Sequence, residues 1–264
     1  MPELPEVESF RKIADRVLVG HRLSNVWAAQ DDIVIDGVSP RTLVAKLKGR
    51  TVVRTDRRGK YAWLELDKGP HPVFHFGMTG WFEEAGLDDP RGKYVKLDLA
   101  TSSGRVVYDN RRRLGRIRLV DDPLAEPTIG KLGFDPLLEP ITARELADRL
   151  AKRKGPIKAL LLDQSFVAGV GNWIADDVLY ASRIAPRRAA NSMNANEVKR
   201  LRSAMLRIIK KAVSVDADSS RFPKGWLFHR RWGKPKDAAI SSGEPIEFDE
   251  VGGRTTAWVP SVQE

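Results

Sequence analysis

The sequence predicts an α+β protein in which an N-terminal helix and an antiparallel β-sandwich precede a helical C-terminal domain that ends in a β-hairpin. Three observations support this prediction. Helical periodicity opens the chain, short strand-like segments fill residues 22–120, and helical periodicity returns after residue 136. Residues 122–136 are rich in proline, glycine and aspartate, which indicates a linker. The predicted divisions are therefore 1–121, 122–136, 137–220 and 221–264.

The first helix is predicted over residues 5–18. Pro5 suits the first helical position, and Glu6 and Glu8 suit the positive end of the helix dipole. An apolar stripe at helical spacing gives this helix one buried face, formed by Val7, Phe10, Ile13 and Val17.

The sandwich is predicted from short segments that are separated by glycine, proline and aspartate. One helix, Pro40–Leu47, interrupts them. The predicted strands are Arg22–Ala28, Ile33–Ile35, Thr51–Asp56, Tyr61–Leu66, Val73–Phe76, Tyr94–Leu99, Arg105–Tyr108 and Ile117–Leu119.

The helical domain is predicted to begin at a capping box, with Thr142 as the cap and Glu145 three residues later. Gly252 and Gly253 predict a hairpin turn near the end of the chain. The predicted helices are Thr142–Lys152, Pro156–Leu162, Trp173–Ser182 and Ala195–Val213, and the predicted hairpin strands are Glu244–Phe248 and Arg254–Val259.

Charge and composition limit the classes of function. The chain has 45 Lys and Arg against 35 Asp and Glu, a net charge of +10, which favours a polyanionic partner such as nucleic acid. It has no cysteine, which excludes disulfides and thiolate metal ligands, and its four histidines are scattered. No run of about 20 apolar residues predicts a membrane span, and the first residues predict no secretory signal. An intracellular location is expected, in the cytoplasm and nucleoid of a bacterium or the nucleus of a eukaryote.

The first six residues carry the most specific chemical signal. Because Pro2 is small, Met1 is expected to be removed, which makes Pro2 the N-terminus. Its secondary amine should have a pKa of about 7.7–8.0, so a nucleophilic neutral fraction exists near pH 7. Glu3 can then act as a general acid, and Glu6 can hold the amine or relay protons. A plain helix entry, with prolines and acids where helices tolerate them, is the alternative.

The first six residues and motifs along almost the whole chain resemble those of the formamidopyrimidine-DNA glycosylase and endonuclease VIII family. In that family an exposed N-terminal proline is catalytic. The resemblance implies a bifunctional glycosylase and abasic-site lyase of base excision repair. It would excise oxidised bases through a Schiff base on Pro2 and nick the strand by β/δ-elimination. The short span between Val213 and Trp226 implies formamidopyrimidines and hydantoins as substrates, with weak activity on 8-oxoguanine.

Further motifs match this family in the predicted sandwich. Lys60, in a basic turn, resembles the family's essential lysine, which implies that it is a fourth catalytic residue that contacts phosphate near the lesion and assists acid–base steps. Met78, flanked by two glycines, resembles the residue that fills the gap left by an everted base. In the run 109–115, alignment on Gly115 makes Arg112 the residue facing the orphaned base and Leu114 the wedge. The family often has phenylalanine at the wedge, and Arg113 stays open as the alternative arginine. Each motif also has a plain interpretation, as a solvated turn or a core residue.

The C-terminal motifs complete the resemblance. Residues 163–173 resemble the family's helix–two-turn–helix, with Asn172 as its DNA-binding asparagine and as a cap of the second helix. Many members end in a four-cysteine zinc finger, which this chain cannot build. Residues 251–260 instead resemble the zincless finger of plant and fungal members, with Arg254 donating to phosphates. Residues 228–232 are expected to add basic and aromatic surface.

Two alternatives remain open at this point. One is a non-catalytic DNA-binding protein of the same architecture, and the other is an endonuclease VIII-like glycosylase that prefers oxidised pyrimidines. In each case the expected partner is double-stranded DNA, and for the two enzymatic possibilities this DNA carries a damaged base. The protein is expected to be a monomer without a membrane partner. No metal or organic cofactor is implied, because the amine supplies the covalent chemistry.

Overall fold

The computed structural model describes residues 2–264, which form two compact units that divide after Lys131. This division falls within the segment 122–136, where the sequence predicts a linker. None of the helices within residues 2–264 has the length and apolar character needed to cross a membrane.

The N-terminal unit opens with helix α1, Leu4–Leu18. Glu3 is its N-cap and forms a capping box with Glu6, and proline occupies the first turn, where a missing N–H costs nothing. The predicted helix over 5–18 is therefore confirmed. Its buried face, which includes Val7, Ala14 and Val17, packs against strands of the same unit.

Two four-stranded antiparallel sheets form the body of the N-terminal unit, in the orders β1-β6-β7-β5 and β2-β3-β4-β8. The strands are β1 Asn25–Ala28, β2 Val52–Arg58, β3 Tyr61–Leu66, β4 His71–His75, β5 Gly80–Ala85, β6 Val95–Ala100, β7 Arg105–Asn110 and β8 Arg116–Val120. Helices α2, Pro40–Leu47, and α3, Pro127–Gly130, complete the unit. The predicted antiparallel sandwich and the helix between its strands are confirmed.

Aromatic side chains dominate the part of the core that lies beneath the loops of this unit. Phe74, Phe76, Phe82 and Tyr108 are almost fully buried, and the ring centroids of the pairs in contact lie 4.9–5.9 Å apart. All five of these pairs meet edge-on or tilted, the arrangements that aromatic quadrupoles favour. The strand ends that carry the Met78 and Arg112 loops are thus held on a rigid base.

One predicted strand is wrong, and one observed strand has no counterpart among the predicted ones. The predicted strand Ile33–Ile35 is a turn, because Asp31 Oδ1 accepts the N–H groups of Ile33 and Val34 and bends the backbone away from an extended form. Strand β5 was not predicted, because its outward positions include Trp81 and two glutamates and its alternation is weak. Its pairing with β7 supplies the hydrogen bonds that the sequence pattern does not indicate.

The C-terminal unit contains four helices: α4 Ala143–Leu150, α5 Ile157–Leu162, α6 Asn172–Ser182 and α7 Ala195–Ser214. The predicted capping box of Thr142 and Glu145 begins α4, and a second capping box, of Asn194 and Glu197, begins α7. Three short 3-10 turns lie at Ala190–Ser192, Ser219–Arg221 and Leu227–His229. The predicted helical domain is confirmed.

A β-hairpin closes the C-terminal unit, with strands β9, Glu247–Val251, and β10, Arg254–Trp258. Gly252 and Gly253 form its turn with φ angles of +62° and +69°, which glycine adopts without steric cost. Strand β9 begins three residues later than predicted, because Glu244 belongs to a preceding turn. Strand β10 packs on α6, so the hairpin is anchored to the helices of its own unit.

Candidate active site and DNA-binding surfaces

The start of α1 brings together three of the predicted catalytic residues. Pro2 is half-buried and directly precedes Glu3, whose side chain is almost fully buried. The backbone N–H of Glu3 donates to Glu6 Oε2 at 2.9 Å, so the capping box that begins the helix also fixes both carboxyl groups beside Pro2. Met1 lies outside the described residues, and its removal stays a prediction.

Glu6 has an altered acidity because of this placement. Its burial, followed by the charge of Glu3, raises the pKa of the Glu6 carboxyl to about 7. A carboxyl with this pKa exchanges its proton near neutral pH, which a proton relay requires. Glu6, a member of the capping box, is therefore also able to give and take a proton next to Pro2.

This shift predicts how stability depends on pH. The folded state holds the Glu6 proton more tightly than the unfolded chain does, so the free energy of unfolding falls as pH rises from 4.5 to about 7. Glu6→Gln keeps an acceptor for the Glu3 N–H and removes the titration. At pH 8 we expect this variant to be more stable than the wild type by about 1–3 kcal/mol, and at pH 4 to equal it. Urea unfolding at the two pH values measures the difference, and an equal offset at both would contradict the assignment.

Lys60 lies in the turn between β2 and β3, and this turn is tied to α1. The buried guanidinium of Arg57 donates to Glu8 on the helix at 3.2 Å and to the Gly59 carbonyl at 3.0 Å. His75 is also close enough to respond to the lysine: burial, followed by the charge of Lys60, lowers the pKa of His75 to about 4. The histidine is therefore neutral near pH 7, and the turn presents the lysine from a fixed backbone.

Two loops expose the predicted gap-filling residues. Met78, between β4 and β5, is 40% exposed, and Leu114, between β7 and β8, is 43% exposed. The buried amide of Asn110 joins the loops, since its Nδ2 donates to the Phe76 carbonyl and its Oδ1 accepts the Leu114 N–H. Gly77, with a φ of +63°, approaches the Leu114 backbone too closely for a Cβ atom. The two apolar side chains are therefore presented by one packed pair of loops.

The structure distinguishes the two candidate arginines. Arg113 has a φ of +55°, and its guanidinium donates to the buried carboxylate of Asp31 at 2.9 and 3.1 Å. Arg112 is held through its backbone, whose N–H donates to Thr79 Oγ1 at 3.3 Å, and its side chain is exposed. Of the two guanidiniums, that of Arg113 is the one committed to a carboxylate of the protein.

Gly115 provides a test of how tightly these loops pack. A Cβ atom at this position would collide with Tyr108 Oη, Asn110 Nδ2 and the His75 carbonyl. We expect Gly115→Ala to destabilise the protein by about 3 kcal/mol, measured by urea unfolding. Gly155→Ala is the matched control, because a Cβ atom there meets nothing within 4 Å and its effect should stay below about 1 kcal/mol. Equal stabilities of the two variants would contradict this close packing.

Asn172 does not cap a helix, which corrects the prediction. Gly171 is the N-cap of α6 and Asn172 is its first residue. Its side-chain Nδ2 instead donates to the Thr255 carbonyl on β10 at 2.9 Å, while its buried Oδ1 accepts no hydrogen bond from the described residues. The exposed Arg254 directly precedes Thr255, so the fold brings both predicted DNA-binding residues of this unit together.

Residues 228–232 only partly form the expected basic surface. His229 and Trp232 are exposed, but Arg231 is 7% exposed and donates to Asp176 Oδ2 at 2.7 Å. The prediction fails for Arg231 because its partner lies 55 positions away, where no local pattern indicates the pairing. The buried Lys158 pairs with the same Asp176, and no local sequence pattern indicates this pairing either.

Comparison with known proteins decides the family. A model described as the formamidopyrimidine-DNA glycosylase N-terminal domain matches residues 1–117, and one described as the formamidopyrimidine-DNA glycosylase H2TH domain matches residues 132–224. The chain belongs to the formamidopyrimidine-DNA glycosylase family. The family resemblance stated from the sequence is confirmed.

Relatives that carry this family name align with the whole chain. The formamidopyrimidine-DNA glycosylase of Arabidopsis thaliana is 41% identical over 277 residues, which cover 100% of this chain and 71% of that protein. The enzyme of the same name from Desulfitobacterium hafniense is 32% identical, with 100% of both chains covered. Among solved structures, the Lactococcus lactis glycosylase bound non-covalently to DNA with an abasic site has a TM-score of 0.86 at 27% identity over 99% of both chains. A mutant of that glycosylase in complex with Fapy-dG DNA has a TM-score of 0.87 at 28% identity, with 100% of both chains covered.

The zinc finger of many formamidopyrimidine-DNA glycosylases does not fit this chain. The sequence has no cysteine, and residues 2–264 contain no cluster of three or more His, Asp or Glu side chains that could hold a metal ion. The hairpin of β9 and β10 is instead bonded to the helices through Asn172 and Lys158.

Proposed function

We propose that this protein is a bifunctional DNA glycosylase and abasic-site lyase that excises oxidised bases and uses Pro2 as its nucleophile. The observation that carries the assignment is the start of α1, where Glu3 and Glu6 are fixed by one capping box directly beside Pro2. A carboxyl with a pKa of about 7 next to an N-terminal amine provides both a nucleophile and a proton relay.

The chemistry follows from these groups once Met1 is removed. The neutral amine of Pro2 attacks C1′ of the damaged nucleotide. The bond between C1′ and the base breaks with its electron pair leaving on the base, which takes up the proton that the attacking amine releases. Glu3 protonates the ring oxygen as the sugar opens, which leaves an iminium ion between Pro2 and C1′. Loss of a C2′ proton then expels the 3′ phosphate, and a second elimination expels the 5′ phosphate. Water hydrolyses the iminium and frees Pro2.

The DNA is held by the remaining candidate residues. Met78, Arg112 and Leu114 fill the space left by the everted nucleotide, which offsets a flipping cost of a few kcal/mol. Arg112 is assigned to the orphaned base because its side chain is exposed whereas Arg113 is paired with Asp31. Lys60, Asn172 and Arg254 donate hydrogen bonds to phosphates flanking the lesion. Hydrogen bonds to an ionised phosphate are stronger than those between neutral groups.

The substrates are formamidopyrimidines and hydantoins in double-stranded DNA, with weak activity on 8-oxoguanine. This proposal rests on the short segment between α7 and the 3-10 turn Leu227–His229, which leaves few residues to close over a purine. The protein acts as a monomer, in whichever compartment holds the cell's DNA. A panel of duplexes carrying each lesion, and oxidised pyrimidines as the competing class, measures the preference.

Borohydride trapping tests the function as a whole. The wild-type protein, with its N-terminus established by mass spectrometry, is incubated with an abasic-site duplex and a formamidopyrimidine duplex in the presence of borohydride. A covalent adduct with both substrates, together with strand nicking without borohydride, is the expected result. Absence of an adduct from protein that begins at Pro2 would overturn the enzymatic assignment in favour of a DNA-binding protein without catalysis.

A further inference from the structure

A buried charge cluster lies beneath the C-terminal hairpin. Lys158 on α5 and Asp176 on α6 are fully buried, and Lys158 Nζ lies 2.6 Å from Asp176 Oδ1. Arg231, which follows the 3-10 turn Leu227–His229, donates to the other carboxylate oxygen, Oδ2, at 2.7 Å. Two cations thus share one anion at the meeting point of three separate chain segments.

The charge cluster is bonded to consecutive residues of β10. Lys158 Nζ donates to the Thr255 carbonyl at 3.0 Å and to Thr256 Oγ1 at 2.7 Å. Thr256 Oγ1 in turn donates to the Arg254 carbonyl at 3.1 Å, and the Ala257 N–H donates to Asp176 Oδ2 at 3.1 Å. A continuous chain of hydrogen bonds therefore runs from the buried lysine to the backbone of the exposed Arg254.

Stability alone does not explain such a cluster. Replacing a buried ion pair with well-packed apolar side chains is often neutral or stabilising, because desolvation offsets the attraction between the charges. Hydrogen bonds to a charged group are directional, however, so they fix the position of the backbone and side chains that make them. The Thr255 carbonyl accepts hydrogen bonds from both Lys158 and Asn172. It therefore links the charge cluster to Asn172 and, through the chain, to the neighbouring Arg254.

We propose that Lys158, Asp176 and Arg231 act through Thr256 to position Arg254 for phosphate binding, in a hairpin that has no cysteine to bind zinc. This inference depends on the proposed function, because it assigns Arg254 to a phosphate. Lys158, Asp176, Arg231 and Thr256 are positioning residues, since all four side chains are buried in the C-terminal unit. Holding the backbone of a long, exposed arginine in place lowers the entropy cost of ordering it on a phosphate.

Thr256→Val is the principal test, because it keeps the shape of the side chain and removes the hydroxyl that joins Lys158 to Arg254. The dissociation constant for a duplex with a tetrahydrofuran abasic analogue should rise about 3- to 10-fold, whereas Thr256→Ser should restore wild-type binding. Arg254→Ala should weaken binding about 10- to 100-fold and lower the slope of log Kd against log salt by about 1. In the Arg254→Ala background, Thr256→Val should have no further effect.

Lys158→Met tests the charge cluster, with Lys210→Met as the control that removes the same charge from an exposed position of α7. Lys158→Met should raise the dissociation constant for the duplex, and this effect should disappear in the Arg254→Ala background. Lys210→Met should change the dissociation constant less than about twofold. Thermal unfolding identifies a Lys158→Met protein that fails to fold, in which case Thr256→Val decides.

Three results separate the possible outcomes of this test. A loss of binding by Thr256→Val that persists unchanged without Arg254 would overturn the positioning role, as would wild-type binding by Thr256→Val. Either can occur in a protein that still forms the borohydride adduct, so failure of this inference is distinct from failure of the proposed function. Wild-type protein that neither binds the duplex nor forms the adduct would remove the basis of both.

Discussion

Pro2→Gln is expected to abolish the borohydride-trapped adduct with abasic DNA. A large second residue retains Met1, so the α-amine moves one residue away from Glu3 and Glu6 and is no longer the ring amine that α1 holds in place. Pro2→Ala, in contrast, should still lose Met1 and expose a primary amine. Because that amine lacks the ring that fixes its direction, we expect its adduct to form about 10- to 100-fold more slowly.

Binding provides the control for this pair of variants. The affinity of both for a tetrahydrofuran duplex should stay near the wild-type value, because the phosphate-binding residues are unchanged. Mass spectrometry of each variant establishes which residue is N-terminal. An adduct from Pro2→Gln with Met1 retained would show that another amine, such as that of Lys60, is the nucleophile, and the assignment of Pro2 would be wrong.

Glu3→Gln is expected to lower the rate of base release from a formamidopyrimidine duplex by about 10²- to 10⁴-fold, the usual contribution of a positioned general acid. Glutamine keeps an oxygen that can accept the backbone N–H of Glu6, so the capping box and the start of α1 should survive. The side chain is only 2% exposed, so water cannot readily replace the lost proton donor. Single-turnover kinetics of base release measure the effect.

Glu84→Gln is the matched control for this loss. Glu84 lies in the same unit, and its exposed ion pair with Arg16 contributes little, so base release should proceed at the wild-type rate. Cleavage of a pre-formed abasic site should be less affected by Glu3→Gln than base release is, because an abasic sugar is in equilibrium with its open-chain aldehyde, which needs no protonation of the ring oxygen. An equal loss in both steps would indicate that Glu3 holds the nucleophile in place and does not protonate the sugar.

The local elements of this protein follow from its sequence to a large extent. Capping residues, proline and helical spacing lie close together along the chain, so α1, α2 and α4 to α7 are predicted within a few residues of their bounds. Three of the four candidate catalytic residues are also local, because Pro2, Glu3 and Glu6 share one helix start. The absence of cysteine alone excludes a four-cysteine zinc finger.

Other features depend on residues that are distant in sequence. The turn at Asp31 replaces a predicted strand because one buried carboxylate accepts two backbone N–H groups and also binds Arg113, 82 positions away. The same pairing distinguishes Arg112 from Arg113, which the sequence leaves open as an alternative. Strand β5 forms because its backbone pairs with that of β7, although polar and apolar residues alternate only weakly along β5.

The sequence by itself determined the α+β class, the membership of the family and most of the order of the elements, and it predicts a chemistry for the N-terminus. Only the tertiary structure decided that Asn172 bonds to the hairpin instead of capping α6, and that Arg231 is buried with Asp176 and Lys158. Periodicity and capping report on neighbours within about one or two turns of the chain. A buried charge is stable only beside a partner that folding brings to it, and no local pattern encodes which partner that is.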